Sequence, residues 1–407
     1  MGEVVITGLG ALTPLGADVA TTWSGLLEGR SGVRALRELW AGQLPARIAG
    51  RLSVDPAALL GRPMARRMDR CEQVAVLAAR QAWADAGRPE VEPERLAVVI
   101  GTGLGGVTTL LDQDDVLEKS GVRRVSPHTL PMLMPNGPAA WVSIDLGAKA
   151  GAHAPASGFA AGAEAIALGA DLIRLGRADV VVAGGAEACV HPLTMAAFAQ
   201  AKALSTRNDQ PETACRPFGA DRDGFVLGEG AAAVVLERAD FRDLRGTAKA
   251  GLAGHGISAN AEHVTASQRD GQMRAMRAAL REAGLTGRDI AHVQAHATAT
   301  PEGDVVEAAA IAGAVGVHPA VTAIKSMTGH LCGAAGALGT VAAVLAMRDG
   351  LIPATRNLDR LDPRVELDVV ASAPRRWRPG AALVNAFGFG GHNVCLALTP
   401  ASRGSAR

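Results

Sequence analysis

The chain contains no tyrosine, and phenylalanine and tryptophan together make up only 3% of its 407 residues. No tyrosine can therefore serve as a general acid or base. Cysteine is sparse as well: five residues (71, 189, 215, 332 and 395), odd in number, isolated, and in no metal-ligand spacing. This excludes a disulfide framework and predicts a reducing cytoplasmic setting with no metal centre and no cofactor. Charge of one sign is missing too. Forty-one basic residues face forty acidic ones, for a net charge of +1, so no global field recruits nucleic acid or an anionic membrane. No basic-then-apolar leader opens the chain, and no uncharged apolar run of about 18 residues lacks glycine punctuation, so neither a signal peptide nor a membrane span is expected.

The sequence is instead rich in small and aliphatic residues: 48% hydrophobic, 20% charged, 49 glycines. That is ample for a large core with close helix–sheet packing. Short apolar runs closed by glycine read as buried strands: 4–10, 96–101, 179–185, 231–236, 291–294 and 394–398. Helical patterns are predicted at 16–29, 63–87, about 103–119, 161–176, 274–283, 304–314 and 333–347. Residues 121–150, with Pro127, Pro131, Pro135 and Pro138, read as loop-rich before Trp141. Strand and helix alternate as in a parallel sheet covered on both faces. The polar tail from Ser402 is expected to be disordered.

One stretch organises the rest. Ser157-Gly158-Phe159-Ala160-Ala161-Gly162 is a small-residue turn feeding a helix, the arrangement that presents a nucleophile where backbone N–H groups and the helix dipole favour negative charge. Its tightest point holds Phe159, which has no nucleophilic atom. The small neighbours Ala154, Ala156 and Gly158 are expected to make room for its ring. Three further stretches lie at strand ends, where α/β sheets bind ligands: His296 to Asp304, Lys325 to Leu331, and Asn385 to Asn393. Singly each has a structural explanation. Together they suit carbon–carbon bond formation on thioesters: neutral imidazoles donate to a developing enolate oxygen, and a lysine and an acid set their protonation.

The opening VVITGLG, the helix end LLEGRSG, Arg216-Pro217-Phe218, Asp221 to Phe225, Gly228-Glu229-Gly230, KSMTGHL, GAAGA and NAFGFGG resemble the β-ketoacyl synthases of the thiolase fold, in order and over nearly all of residues 3–398. The resemblance implies an α/β fold of duplicated halves in five αβαβα layers, with an N-terminal half at 1–245 and a C-terminal half at 246–407. It implies that His296 and His330 are the family's two histidines, Lys325 its lysine, Asp304 or Glu307 the acidic support, and Phe389 the gating phenylalanine. Counting from Gly147 to Gly162 without gaps puts the family's nucleophilic cysteine at Phe159. Without a thiol there is no acyl-enzyme.

The loss makes the chain similar to the chain length factor, or ketosynthase β-subunit, of bacterial type II polyketide synthases. That subunit pairs with a cysteine-bearing ketosynthase and helps wall the tunnel for the growing chain. The resemblance then implies tunnel residues Val107, Leu110 and Asp114, and as partners a cysteine-bearing ketosynthase and an acyl carrier protein. Two alternatives carry the same residues: a malonyl-carrier decarboxylase using His296 and His330 without a thiol, and a homodimeric acyl-carrier-binding scaffold.

Overall fold

The computed structural model describes residues 3–244 and 246–401; the tail expected from Ser402 lies outside them. Eleven strands form one sheet that is two half-sheets joined at a narrow seam, where only Val5 and Ile6 pair with Gly251 and Ala250. The first half-sheet runs Val4–Leu12, Gly230–Arg238, Val180–Glu187, Leu96–Gly101 and Gly151–His153; the second runs Ala250–Ala259, His392–Pro400, Ala381–Gly388, Ile290–Gln294, Ala320–Thr322 and Asp368–Val369.

The helices Ala161–Arg174 and Ala335–Asp349 lie between the half-sheets and pack on both and on each other. Arg70–Asp85 covers the outer face of the first, and Arg269–Ala283 that of the second. The result is a thiolase-like αβαβα stack. Its central layer explains the alanine and glycine content. Every residue from Gly336 to Met347 is buried, as befits a helix enclosed all round. A Cβ on Gly162 would stand 2.6 Å from Gly333 O, and one on Gly336 2.7 Å from Ala163 Cβ.

The sheet is mixed rather than parallel. Val180–Glu187 runs parallel to Leu96–Gly101 but antiparallel to Gly230–Arg238, and Ala381–Gly388 is parallel to Ile290–Gln294 but antiparallel to His392–Pro400. The apolar runs reported burial on both faces, not direction. The helix expected over 63–87 is divided: Arg62–Ala65 ends, and Asp69 caps a new helix with its carboxylate on Cys71 N–H, paired with Glu72 in a capping box. The 121–150 stretch is not mainly loop, for it holds Thr129–Leu133 and Gly137–Leu146. Pro138 stands in the first turn of the latter, where its missing N–H costs nothing. No expectation covered Ala250–Ala259, whose glycines hide its strand character.

Candidate functional site

The helix Ala161–Arg174 starts directly after a single 3-10 turn, Gly158–Ala160. Gly158 has φ of 59°, a left-handed conformation that glycine adopts without steric cost. Gly388 is needed for a close approach: a Cβ there would meet Ser157 O at 2.5 Å and Phe159 N at 3.0 Å. The glycine-rich turn after Gly388 therefore presses on the elbow, and Phe159 stands at the mouth of the central helix.

The ring does not lie against the small residues before it. Ala156 is exposed, and Ala154 packs with the cluster under helix Arg70–Asp85. Phe159 turns the other way and is half-buried. Its centroid is 4.7 Å from His330, 4.9 Å from Phe389, 6.2 Å from Phe198 and 6.3 Å from Phe225. With Phe387, 5.7 Å from His296, five of the chain's seven phenylalanines gather here.

The two histidines face each other at 5.4 Å between centroids. Cys332 N–H donates to His330 Nδ1 at 3.1 Å, so the ring proton sits on Nε2, which is buried without a partner among the described residues. Burial, and then the Lys325 charge, holds the His330 pKa well below its ordinary value. His296 is lowered likewise by burial, then by Lys325 and His330. Both imidazoles are neutral, and that of His330 is set as a donor. Lys325 donates to the His296 carbonyl and lies 3.5 Å from His296 Nδ1. Burial pushes this lysine down to about 8, against the opposing pull of Glu307.

Glu307, on helix Gly303–Ala314, accepts from the N–H groups of His296 at 2.8 Å and Ala297 at 2.6 Å, and from Asn385 Nδ2 at 3.0 Å. Burial raises its pKa despite these donors. Asp304 does a different task. It accepts from Phe218 N–H at 2.7 Å and Ala299 N–H at 3.0 Å, beside the buried Arg222, and burial raises it to about 7. Of the two acids, Glu307 supports the first histidine and Asp304 fixes the surrounding loops.

A cavity of about 500 Å³ opens here, lined by Phe159, Phe225, His296, Thr300, Phe387 and Phe389 among others. His330 is not in its wall; the Phe159 ring lies over it. Val107 packs into the apolar cluster behind Phe159, whereas Leu110 and Asp114, on helix Val107–Ser120, are exposed on the surface. Sequence reasoning missed several contributors. Phe225, Phe387 and Asn385 sat inside motifs already noted, but Phe198 and Glu187 carried no local signal. Glu187 accepts from Gly103, Leu104 and Gly333 N–H at 2.7, 3.1 and 3.0 Å, tying two loops behind the elbow. Among the described residues, one group converges closely enough for a metal ion: Asp171, His255 and Glu282. There the Arg174 guanidinium already supplies the cation, donating to Glu282 and lying 3.3 Å from His255 Nδ1.

Residues 1–241 match the family described as Beta-ketoacyl synthase, N-terminal domain, and residues 249–359 its C-terminal domain. The chain belongs to the β-ketoacyl synthase family. It is 44% identical to 3-oxoacyl-[acyl-carrier-protein] synthase 2 of Mycobacterium bovis over 97% of this chain and 96% of that one, and 41% identical to the synthase of the same name from Synechocystis over 97% of each. Among solved structures, the ishigamide ketosynthase/chain length factor superposes with a TM-score of 0.92 at 32% identity, over 98% of this chain and 99% of that one. A chain of the AntDE:AntF structure, described as a type II PKS acyl-carrier protein in complex with its ketosynthase bound to the hexaketide, superposes with a TM-score of 0.89 at 27% identity, over 98% of this chain and 100% of that one. The β-ketoacyl synthase family is one of acyltransferase-type condensing enzymes. No helix among the described residues is long and apolar enough to cross a membrane.

Proposed function

We propose that this chain is the thiol-less subunit of a ketosynthase pair, a chain length factor that docks on a cysteine-bearing ketosynthase and walls its tunnel. One observation carries the reading. The helix mouth that the resemblance assigns to the nucleophile holds Phe159, and its ring covers His330 at 4.7 Å. Neither a thioester nor a malonyl carboxylate reaches both histidines past that ring. Identity to named synthases does not weigh against this, because a single side chain removes the covalent step.

Two surface features support a partner. Leu110, Leu117, Val122, Leu130 and Ile144 are exposed in the 107–146 region, with Ile144 70% and Val122 75% accessible, an apolar exposure that marks interaction surfaces. Beside it, Gly151–His153 is the last strand of the sheet, with an open edge of the kind that pairs or is covered. In this reading Leu110 and Asp114 meet the partner's tunnel rather than a tunnel of their own. The exposed arginines 66, 67, 123 and 124 offer cations to an acidic carrier protein.

The test is co-expression with a cysteine-bearing ketosynthase, then sizing and intact-mass analysis after exposure to acyl- and malonyl-carrier protein. A 1:1 heterodimer acylated only on the partner is expected. A stable homodimer that releases carbon dioxide from malonyl-carrier protein unaided would establish the decarboxylase instead. The retained His296, Lys325 and His330 are the observation that favours that second reading.

A further inference from the structure

Next to Lys325 the fold encloses a second, much smaller pocket. Strand Ile290–Gln294, the short helix Lys325–Thr328 and the central helix Ala335–Asp349 meet there, with Gln294, Lys325, Thr328, Leu338 and Gly339 in the wall. About 10 Å³ is open to the centre of a water molecule, close to what a single water needs. Gly339 keeps that space open. A Cβ at this position would stand 3.2 Å from Val384 Cγ1 and 3.3 Å from Gln294 Cγ.

The wall brings together polar groups whose hydrogen bonding is incomplete. Gln294 is 2% exposed; its Nε2 donates to Thr322 O at 3.4 Å, but its Oε1 is buried with no partner among the described residues. A charged lysine has three N–H donors. Among the described residues Lys325, itself buried, donates to the His296 carbonyl and lies 3.5 Å from His296 Nδ1, which leaves one donor over. Thr328 Oγ1 donates to Gly329 O at 2.8 Å and keeps its lone pairs. A water accepting from Lys325 and donating to Gln294 Oε1 and Thr328 Oγ1 satisfies all three groups, and three hydrogen bonds is the usual number for a buried water.

We propose that this pocket binds one ordered water, which links Gln294 to Lys325 and helps to hold the proton on the lysine. A metal ion does not suit it, because the wall holds no carboxylate and Lys325 already brings a positive charge. Gln294 is then a positioning residue: it acts through the water on Lys325, and through Lys325 on His296. The site lies within one chain and stands whether or not that chain pairs with a ketosynthase.

A crystal structure of the full chain, in whichever assembly it purifies, tests the site directly. A water about 2.7–3.2 Å from both Gln294 Oε1 and Lys325 Nζ is expected. A pocket without density overturns the inference, as does density that gains an anomalous signal after exchange into rubidium. Nitrogen NMR with Nζ-labelled lysine tests the effect on the proton. The chain has five lysines (119, 149, 202, 249 and 325), and Lys325 is the buried one. Its signal is expected to titrate at about 8. Gly339→Ala puts a methyl in the water's place and is expected to lower the midpoint by about one pH unit, a roughly tenfold weaker hold on the proton. Gln294→Leu removes the acceptor at similar volume and is expected to shift the midpoint the same way. If Gly339→Ala does not fold, Gln294→Leu alone decides. An unchanged midpoint in the variants that fold overturns the inference. Neither readout involves acylation or a partner, so failure of the water site and failure of the subunit reading are separate results.

Discussion

Replacing Phe159 by cysteine asks whether the nucleophile is the one part missing. In Phe159→Cys the thiol stands at the N-terminal mouth of helix Ala161–Arg174, above an imidazole whose Nε2 proton is unclaimed. Helix N-terminus and donor both favour a thiolate, which places its pKa below about 7.5 instead of about 8.5. The ring that covers His330 is gone, and the cavity of about 500 Å³ extends to the histidine pair. The stability cost is moderate. The ring is half-buried, so about half of the ~1.5–3 kcal/mol of a fully buried aromatic is lost, with a further ~0.5–1.5 kcal/mol from its ring contacts, or about 2 kcal/mol in all. A fully buried ring would cost about 3–5 kcal/mol.

The native thiols give a quiet background. All five are buried, burial holds Cys71 and Cys395 above the usual thiol range, and Cys215 is pushed up to about 12. Iodoacetamide alkylation against pH, followed by intact mass after incubation with acyl-carrier protein, reads both claims. One fast-reacting thiol titrating below about 7.5 and one acyl adduct on this chain are expected. A folded variant whose new thiol titrates at 8.5 or above and takes no acyl group would refute the view that the remaining site is intact.

Other expectations follow from the buried polar groups. His292 is fully buried beside Trp377, with neither ring nitrogen partnered among the described residues, and burial pushes it down to about 3. The unfolded residue titrates near 6.5, so its share of stability is complete above that pH and falls as pH drops toward 3, by about 2 kcal/mol at pH 5. His292→Leu should remove that share of the acid sensitivity in urea titrations at pH 7 and 5; identical pH slopes would count against it. Arg222 is buried and donates to Asp362 at 2.8 Å, to Gly219 and Thr300 carbonyls at 2.7 and 2.9 Å, and to the Pro301 carbonyl, beside Asp304. Arg222→Met leaves the Gly219, Thr300 and Pro301 carbonyls without their donor and takes the cation from beside Asp304, while Asp362 keeps Arg364. It should cost about 1–3 kcal/mol by urea denaturation, and no measurable loss would mean that water replaces the guanidinium. Gly388→Ala drives a methyl to 2.5 Å from Ser157 O. It should cost about 1–3 kcal/mol and displace the turn, and a neutral melting result would show that the elbow yields.

Much of the architecture was legible because buried strands are short apolar runs and the central helices are stretches of small residues. The runs at 96–101 and 179–185 became Leu96–Gly101 and Val180–Glu187, and the 333–347 pattern became Ala335–Asp349. Elements with mixed signals were lost. Gly137–Leu146 hides among prolines, and Ala250–Ala259 is interrupted by glycine. Strand direction was misread because a strand apolar on both faces looks the same whichever way its neighbours run. In the site, motif residues came through intact, since His296, Lys325, Glu307 and His330 do converge. Phe198 and Glu187 did not, because what they touch lies far away in sequence.

The sequence by itself determined the chemistry on offer: a family's histidines, lysine and acid in order, and a phenylalanine where a thiol is expected. Composition and motif order are properties of the chain, so no coordinates were needed for them. Only the tertiary structure decided which way the Phe159 ring points. Its rotamer is selected by Phe198, Phe225, His330 and Phe389, four groups brought together from separate segments, and neighbours in sequence have no say in it. That choice puts the ring over His330 and under Phe389. It also leaves Ala154 and Ala156, two of the small residues expected to make room for the ring, facing elsewhere.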